Sequence, residues 1–317
     1  MRIHTVVPSL NMSFKMASPL RTLGSLVQDR QSAIVVDTTR KVDMIPVVVK
    51  VRSPAGEETF ETEVLRNRFL TPPLVGMMVG NAAHTLVPDV ADCTVTVESR
   101  LKIKGYEPIR FTDYSYSNNG PADAIASARA LRILVPLLFN PFAPVRIERL
   151  DVDVQIAYNT DYVQIDALRV PDLEVPYGQK TSVDVVMRPY GGREYVERIP
   201  IHIPERLAGT TVKLEIVPGD LARPDTAPPE SLDDVVAILR KMYPANMLVA
   251  TIYTPDEGVT LGGKVIPNLP DSALDTVRPA TSTRRGDAYK SVTRTVVPAK
   301  RVVQGRQEIM LKVKDRK

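Results

Sequence analysis

Alternating apolar and polar positions dominate the chain. Ile3 to Val7 alternates, and Ala33 to Val36 is a short apolar run behind the polar turn Asp29-Arg30-Gln31. Met44 to Val51 is the strongest strand signal of the first seventy residues. Ser53-Pro-Ala-Gly-Glu57 reads as a turn, and Thr59 to Leu65 returns with Phe60, Thr62 and Val64 on one face. A strand, a Pro/Gly turn and a second strand make a hairpin. Residues 1–70 are therefore predicted to be β.

The period changes at residue 71. Thr71-Pro72-Pro73 predicts a helix start, with Thr71 as N-cap and proline tolerated in the first turn. Leu74, Met77, Met78 and Ala82 follow at helical spacing. Residues 93–112 return to β through Thr94–Glu98, Leu101–Lys104 and Pro108–Phe111. After the turn Asn118-Asn119-Gly-Pro121, the Ala- and Leu-rich run Ala122 to Leu138 predicts one buried helix that Pro136 kinks or ends. Arg129 and Arg132 lie within it, and it is too short to span a bilayer. Residues 71–142 thus form a mixed α/β connecting segment.

Short strands then recur every 8–12 residues, as in a sandwich. Val145 to Ile156, Tyr162 to Leu168, Thr181 to Met187, Tyr195 to Ile203 and Thr211 to Val217 alternate, with turns at Val175–Gln179 and Pro189–Gly192. This predicts an immunoglobulin-like β-sandwich over 143–220, without disulfide or tryptophan. Residues 218–230 read as a Pro- and Asp-rich linker. Ser231 opens a helix with Asp234 three residues on as a capping partner, and Leu232, Val235, Val236, Leu239 and Met242 share one face. Pro244 stops it. Leu248 to Tyr253, Thr293 to Val297 and Glu308 to Val313 are strands, and 270–288 is a polar, Pro-rich loop expected to be mobile. Residues 221–317 are thus a small α+β unit ending in the solvated basic tail Lys312–Lys317. The fold class expected for the whole is mainly β with α+β parts.

Composition narrows this. A chain of 317 residues suggests two or three domains. With 44% hydrophobic and 25% charged residues, wholesale disorder is excluded. The 27 prolines outnumber the 16 glycines, which favours short elements over long helices. No apolar run reaches about 18 residues, so no membrane-spanning helix is expected. The single cysteine, Cys93, excludes an intramolecular disulfide and a cysteine-based zinc cluster. Net charge is 41 − 37 = +4. The chain is only mildly basic, and no nucleic-acid partner is expected.

The chemical motifs resolve mostly into structural roles. Gly258-Val-Thr-Leu-Gly-Gly263-Lys264 has the spacing of a phosphate-cradling loop. Val265 stands where a metal-binding Ser or Thr belongs, and Ile266-Pro267-Asn268-Leu269-Pro270 cannot form the required helix. A turn between two β segments is expected instead. His84 has Asp89 and Asp92 downstream but no positioned nucleophile, and no G-x-S-x-G elbow occurs. His202 alternates with Ile201 and Ile203, so it faces solvent; Cys93 lacks a basic neighbour and reads as a small buried residue. The pairs Arg284-Arg285 and Lys300-Arg301 are too short and too poor in aromatics for nucleic-acid binding.

Two sets of segments resemble a known family. Val7-Pro-Ser-Leu-Asn-Met-Ser-Phe-Lys15, Leu23-Gly-Ser-Leu-Val-Gln-Asp-Arg30 and Met44-Ile-Pro-Val47 form an ordered succession similar to the C-terminal half of the SpoIVB-type peptidase S55 domain of bacterial envelope proteins. Leu70-Thr-Pro, Asn140-Pro-Phe142, Arg188-Pro-Tyr-Gly191, Ser231-Leu-Asp and Leu269-Pro270 resemble the extension that follows that domain in long members. The resemblance implies that residues 1–70 are the C-terminal part of a peptidase-like β unit. Catalysis in the family needs a Gly-His motif and a Gly-Met-Ser-Gly-Ser-Pro motif. Gly76-Met77 continues as Met78-Val79, and His4 falls in the strand after the Gly-His position. No catalytic, cofactor-binding or metal-binding residue is therefore assigned, and no cofactor is expected.

The resulting expectation is a non-catalytic scaffold or protein-interaction region of the cell envelope. Its partner would be another protein or an upstream segment of the same polypeptide. The first alternative is part of a serine endopeptidase whose Gly-His and nucleophile motifs lie upstream. The second is a surface or carbohydrate-binding module, suggested by the sandwich. Location follows the start: envelope or secreted if a signal peptide precedes Met1, cytoplasmic if Met1 is the true start, since residues 1–8 carry no apolar core of a signal.

Overall fold

The computed structural model describes residues 2–7, 14–18, 21, 23–86, 92–222, 225–261, 264–266 and 287–315. Strands hold 49% of the residues and helices 18%, so the fold is mainly β with α+β parts. The chain divides into two compact units, Met1–Met44 and Ile45–Lys317.

The first unit consists of two hairpins. β1 (Arg2–Val7) pairs antiparallel with β2 (Phe14–Ser18). β3 (Ser25–Arg30) pairs antiparallel with β4 (Ala33–Asp37), with a register shift between Leu26 and Gln28. Asp37 closes the second hairpin: its Oδ1 accepts hydrogen bonds from Thr39 N at 2.8 Å, Thr39 Oγ1 at 2.7 Å and Arg40 N at 3.1 Å. Those bonds hold its carboxyl below the ordinary aspartate value. Leu26, Ile34, Val35 and Val36 are all exposed, so this ribbon buries neither face.

The second unit begins with a five-stranded sheet, ordered β6-β5-β9-β7-β8. β5 (Met44–Ser53) and β6 (Gly56–Leu65) are the expected hairpin. β7 (Cys93–Ile103) pairs antiparallel with β8 (Ile109–Ser117) and with β9 (Ile147–Ala157), and β9 runs parallel to β5. Alternation drives the burial: Ile45, Val47, Val49 and Val51 of β5 face the same core as Val95, Val97 and Leu101 of β7. Each such side chain contributes roughly 1.5–3 kcal/mol by leaving water.

Five helices complete this layer: α1 (Thr71–His84), α2 (Pro121–Ala126), α3 (Arg129–Arg132), α4 (Leu134–Leu138) and α5 (Leu232–Arg240). Two local expectations change here. Thr71 is inside α1 rather than its cap. Its Oγ1 donates to Leu65 O at 2.7 Å and accepts from Asn67 N at 2.9 Å, while Leu70 occupies the cap position. α1 also buries Val75, Val79, Ala82 and Ala83 and leaves Met77 exposed. With almost every position apolar, helical spacing alone could not choose the inward face.

The single helix expected over 122–138 is three short ones. Ser127 Oγ donates to Ala124 O at 2.6 Å, and Ala128 turns extended at ψ 133°. That turn releases the Arg129 N–H, which donates to Asp113 Oδ2 at 3.0 Å. Pro136 does not end a helix; it sits in the first turn of α4, where no backbone N–H is needed.

Two further sheets close on a second core. One is ordered β13-β12-β10-β18 and the other β11-β19-β14-β15, with β16 and β17 also on β15. Their strands are β10 (Tyr162–Arg169), β11 (Glu174–Val175), β12 (Lys180–Pro189), β13 (Tyr195–His202), β14 (Thr211–Pro218), β15 (Met247–Leu261), β16 (Lys264–Ile266), β17 (Asp287–Pro298), β18 (Val302–Gln304) and β19 (Gln307–Val313). Val163, Val183, Met187 and Ile199 of one sheet share a single cluster with Leu214, Ile216, Ala250 and Leu311 of the other. Two features differ from the strand-by-strand reading. Ile147–Ala157, expected to open the sandwich, belongs to the five-stranded sheet. Strands beyond residue 220 complete the second core instead.

Between β14 and β15 the chain crosses to the helical layer and back. Gly219 begins the crossing because a Cβ there would lie 2.2 Å from Pro244 O. α5 is capped as expected, with Asp234 N donating to Ser231 Oγ at 3.1 Å. It is tied to the β7–β8 turn by Tyr106 Oη to Asp233 Oδ1 at 2.6 Å and Arg240 Nη2 to Glu107 O at 2.8 Å.

Candidate functional site

Two asparagine-pinned loops build a groove in the second unit. Asn67 Oδ1 accepts from Phe69 N at 2.9 Å and Leu70 N at 3.1 Å, so the side chain serves the N-terminus of α1 that Leu70 cannot cap. After α4, Asn140 does the same for its own loop. Its Oδ1 accepts from Phe142 N and Ala143 N, both at 3.0 Å, and its Nδ2 donates to Leu137 O at 2.7 Å and Ala143 O at 3.0 Å. Short polar side chains that bond their own backbone fix loops in this way. Arg66 Nη1 reaches across to Ile147 O, joining the first loop to β9.

The loops bring aromatic rings together at the rim. The Phe69 and Phe139 rings meet edge-to-face at 5.1 Å and 76°. The Arg68 guanidinium lies 4.8 Å from the Phe69 ring centre and 5.4 Å from that of Phe139. Edge-to-face rings and a cation over a ring face are both attractive arrangements. Phe69 is still 60% exposed, Phe139 43% and Phe142 37%, so these rings remain available to another molecule. Beside this cluster, Arg68 and Phe142 join Ile45, Leu138, Val145 and Ile147 in lining a depression of about 370 Å³. Its walls carry arginine and amide groups but no carboxylate, imidazole or thiol. Its lining sets arginine and amide donors beside apolar side chains.

No protein-family model, curated protein or solved structure matches this chain. The site therefore stands on its own geometry. Two of the segments singled out in the sequence, Leu70-Thr-Pro and Asn140-Pro-Phe142, do converge on it. Arg188-Pro-Tyr-Gly191 goes elsewhere, to a ladder of rings. Tyr116 and Tyr162 stack at 4.2 Å, and Tyr190 follows at 5.8 Å and is 61% exposed. Burial, then the hydrogen bond from Tyr116 Oη to Asp92 Oδ1 at 2.9 Å, pushes the Tyr116 phenol up to about 12.

The other residues weighed in the sequence are dispersed. His84 is exposed at the end of α1, and His202 is exposed at the end of β13 between buried Ile201 and Ile203. Asp89 lies outside the described residues, and Asp92 bonds Tyr116 rather than a histidine. Cys93 is buried at the start of β7, and burial pushes its thiol up, away from the reactive thiolate. Leu261 pairs with Lys264 in the β15–β16 hairpin, so a strand stands where a phosphate loop requires a helix. Gly262 and Gly263 lie outside the described residues, as do Arg284-Arg285, His4's side chain and 270–286 of the loop read as mobile. Arg301 pairs with Asp161 at 3.0 Å. Among the described residues no group of three His, Cys, Asp or Glu could hold a metal, and no helix is long and apolar enough to cross a membrane.

One buried pair escaped the sequence reading. Arg129 Nε donates to Asp113 Oδ1 at 2.5 Å, and Arg129 Nη2 donates to Thr112 O at 2.9 Å. Nη1 reaches Met242 O just beyond α5. Each guanidinium nitrogen makes one inward bond, so this pair holds α3, β8 and the segment just beyond α5 together.

Proposed function

We propose that this chain is a non-catalytic protein-interaction region, and that the groove between the Asn67 and Asn140 loops receives an apolar side chain of a partner polypeptide. The observation that carries this is the rim itself. Phe142 and Arg68 line a preformed depression, and the exposed Phe69 and Phe139 rings pack on Arg68 beside it; arginine and aromatic residues dominate the energetic centres of protein interfaces. The exposed apolar ribbon β3–β4 supports the same reading, since a two-stranded hairpin is marginal alone and exposed apolar patches mark contact sites. The resemblance of the succession Val7–Lys15, Leu23–Arg30 and Met44–Val47 to the S55 domain of bacterial envelope proteins supports placing this role at the cell envelope.

The test places a photo-reactive phenylalanine analogue at Phe142 in the producing cells. A discrete cross-linked species that disappears with Phe69→Ala plus Phe139→Ala is expected. Absence of any such species overturns the groove. Labelling of the purified chain by a serine-reactive fluorophosphonate, with casein digestion, would overturn the non-catalytic reading and favour the peptidase alternative. A second reading, a carbohydrate-binding module, draws on the exposed Tyr190 ring at the end of its ladder. Glycan-array binding lost in Tyr190→Ala would favour it.

A further inference from the structure

The five-stranded sheet has a second face, turned away from the helices. Along β7, Thr96, Glu98, Arg100 and Lys102 alternate with the buried Val95, Val97, Ser99 and Leu101. The register sets Arg100 beside Asp151 of β9 and beside Arg110 of β8. One step along, Glu98 stands beside Asp153 of β9 and Thr112 of β8, and Lys50 of β5 is on the far side of Asp153. These rows line a depression of about 370 Å³.

Most charges here are already matched. Arg149 holds Asp151 at 2.6 Å, Arg52 holds Asp153, Lys50 holds Glu57 at 2.6 Å, and Lys102 holds Glu148 at 3.1 Å. Lys50, the first cause, keeps the Glu57 carboxyl below its ordinary value. Arg100, Arg110 and Glu98 are exposed and make no ion pair or side-chain hydrogen bond among the described residues. Directly opposed residues on adjacent antiparallel strands have Cβ atoms about 4.5–5.5 Å apart, and like charges there are destabilising. Arg100 and Arg110 thus face each other with no ion pair of their own among the described residues, and the acid beside Arg100, Asp151, is held by Arg149. A carboxylate set between two arginines accepts charge-assisted hydrogen bonds from both.

The next row fixes the kind of partner. Glu98 is two residues from Arg100, about 6.6 Å along the strand. The free charges therefore read positive, positive, then negative. A nucleic acid or anionic membrane would meet Glu98 as well as the arginines. An extended polypeptide advances by the same rise per residue, so an acidic side chain and a basic one two positions on would face the arginine pair and Glu98. We infer that the outer face of this sheet docks an extended segment of a partner protein carrying an acidic residue followed, two residues on, by a basic residue. This surface is separate from the Asn67–Asn140 groove and does not depend on it.

The test uses the full chain and fluorescence anisotropy at low ionic strength. The probe is a labelled twelve-residue peptide repeating Asp-Thr-Lys-Thr. Its control repeats Asp-Lys-Thr-Thr, with the same composition and adjacent charges. The first is expected to bind about fivefold more tightly, as two exposed charge pairs allow. Arg100→Glu plus Arg110→Glu should abolish that preference and favour a Lys-Thr-Lys-Thr peptide, whereas Lys104→Glu should leave the preference in place. Arg100→Gln plus Arg110→Gln gives the same comparison without charge reversal if the first variant does not fold. Equal binding of the two peptides, indifference to the arginine variants, or tighter binding of a twelve-nucleotide DNA or anionic vesicles would each overturn the inference.

Discussion

Replacing Arg129 by alanine tests the joint behind the groove. Arg129 is 5% exposed and Asp113 6%, so neither has water to fall back on. Truncation removes the bond to Asp113 Oδ1 at 2.5 Å, the donors to Thr112 O and Met242 O, and the guanidinium 5.1 Å from the Phe111 ring centre. The Asp113 carboxylate would remain buried, with one hydrogen bond from the backbone N–H of residue 129 and Arg132 as the remaining nearby positive charge. Removing one partner of a buried pair costs about 3–5 kcal/mol, and two carbonyls lose donors besides, so a loss of about 4 kcal/mol is expected. That is a large share of the roughly 5–15 kcal/mol that holds a typical domain. The measurement is urea unfolding followed by circular dichroism, read as a fall in midpoint at constant slope. Arg129→Met combined with Asp113→Leu should recover most of the loss, because an apolar pair needs no counter-ion. The pH dependence has a definite sign. Burial already pushes the Asp113 carboxyl up, and Arg129 pulls it back. Without Arg129 the folded-state value rises further, so the deficit should shrink as pH falls towards it and grow as pH rises through it. A cost below about 1 kcal/mol, or a double variant no better than the single one, would refute this account of the joint. Because α3 leads through Ile133 into α4 and the Phe139–Asn140 wall, the same variant should also weaken binding at the groove.

Asn140→Ala removes four local hydrogen bonds, three of them exposed, and should lower stability by about 1–2 kcal/mol while reducing cross-linking from Phe142 much more. Asp220→Asn should stabilise the protein at neutral pH: burial raises the folded carboxyl value, so its favourable contribution is present below the unfolded value and lost as pH rises through the folded one. Thermal melts should show the variant's advantage at pH 7 disappearing in acid. Cys93 is fully buried with its thiol pushed up, so a thiol reagent should react with it only after denaturant is added.

The longer strands are legible because alternation marks them locally, whereas Phe14–Ser18, Glu174–Val175 and Val302–Gln304 are too short to show it, and Asp29-Arg30 ends a strand where a turn was expected. What alternation does not encode is the partner. Ile147–Ala157 has the same apolar face whichever sheet it joins, and its neighbour β5 lies about a hundred residues away in parallel register. Sequence adjacency favoured the strands after it, whereas the structure uses it to close the first sheet and recruits the C-terminal strands to the second. The helices show the opposite failure, in which a correct local signal is reassigned by tertiary demand. Thr71 has the chemistry of a cap, but Asn67 already serves that turn, so its hydroxyl ties the helix back to Leu65. The run from Ala122 to Leu138 has helical composition throughout. It breaks at Ala128 because a buried carboxylate on a neighbouring strand takes the Arg129 N–H that helix continuation would have used.

The groove follows the same logic one level higher. Asn67 and Asn140 each precede a tight backbone turn, and such turns are readable one at a time from Asn and Pro. Their convergence is not, because it depends on α1 and α4 packing side by side on a sheet whose strands are themselves non-local. The charged face is a sharper case. In sequence, Glu98, Arg100 and Arg110 are ordinary polar positions of two strands, and a solvated role would describe them fully. Only the register, with Arg100 directly opposite Arg110 and Asp151 and Asp153 held by other cations, turns them into an unmatched pattern. A single Arg→Glu exchange at either position would replace the Arg100–Arg110 repulsion by a cross-strand ion pair. Among the described residues these two opposed arginines make no ion pair of their own, and that is the reason to look for a counter-charge on another molecule.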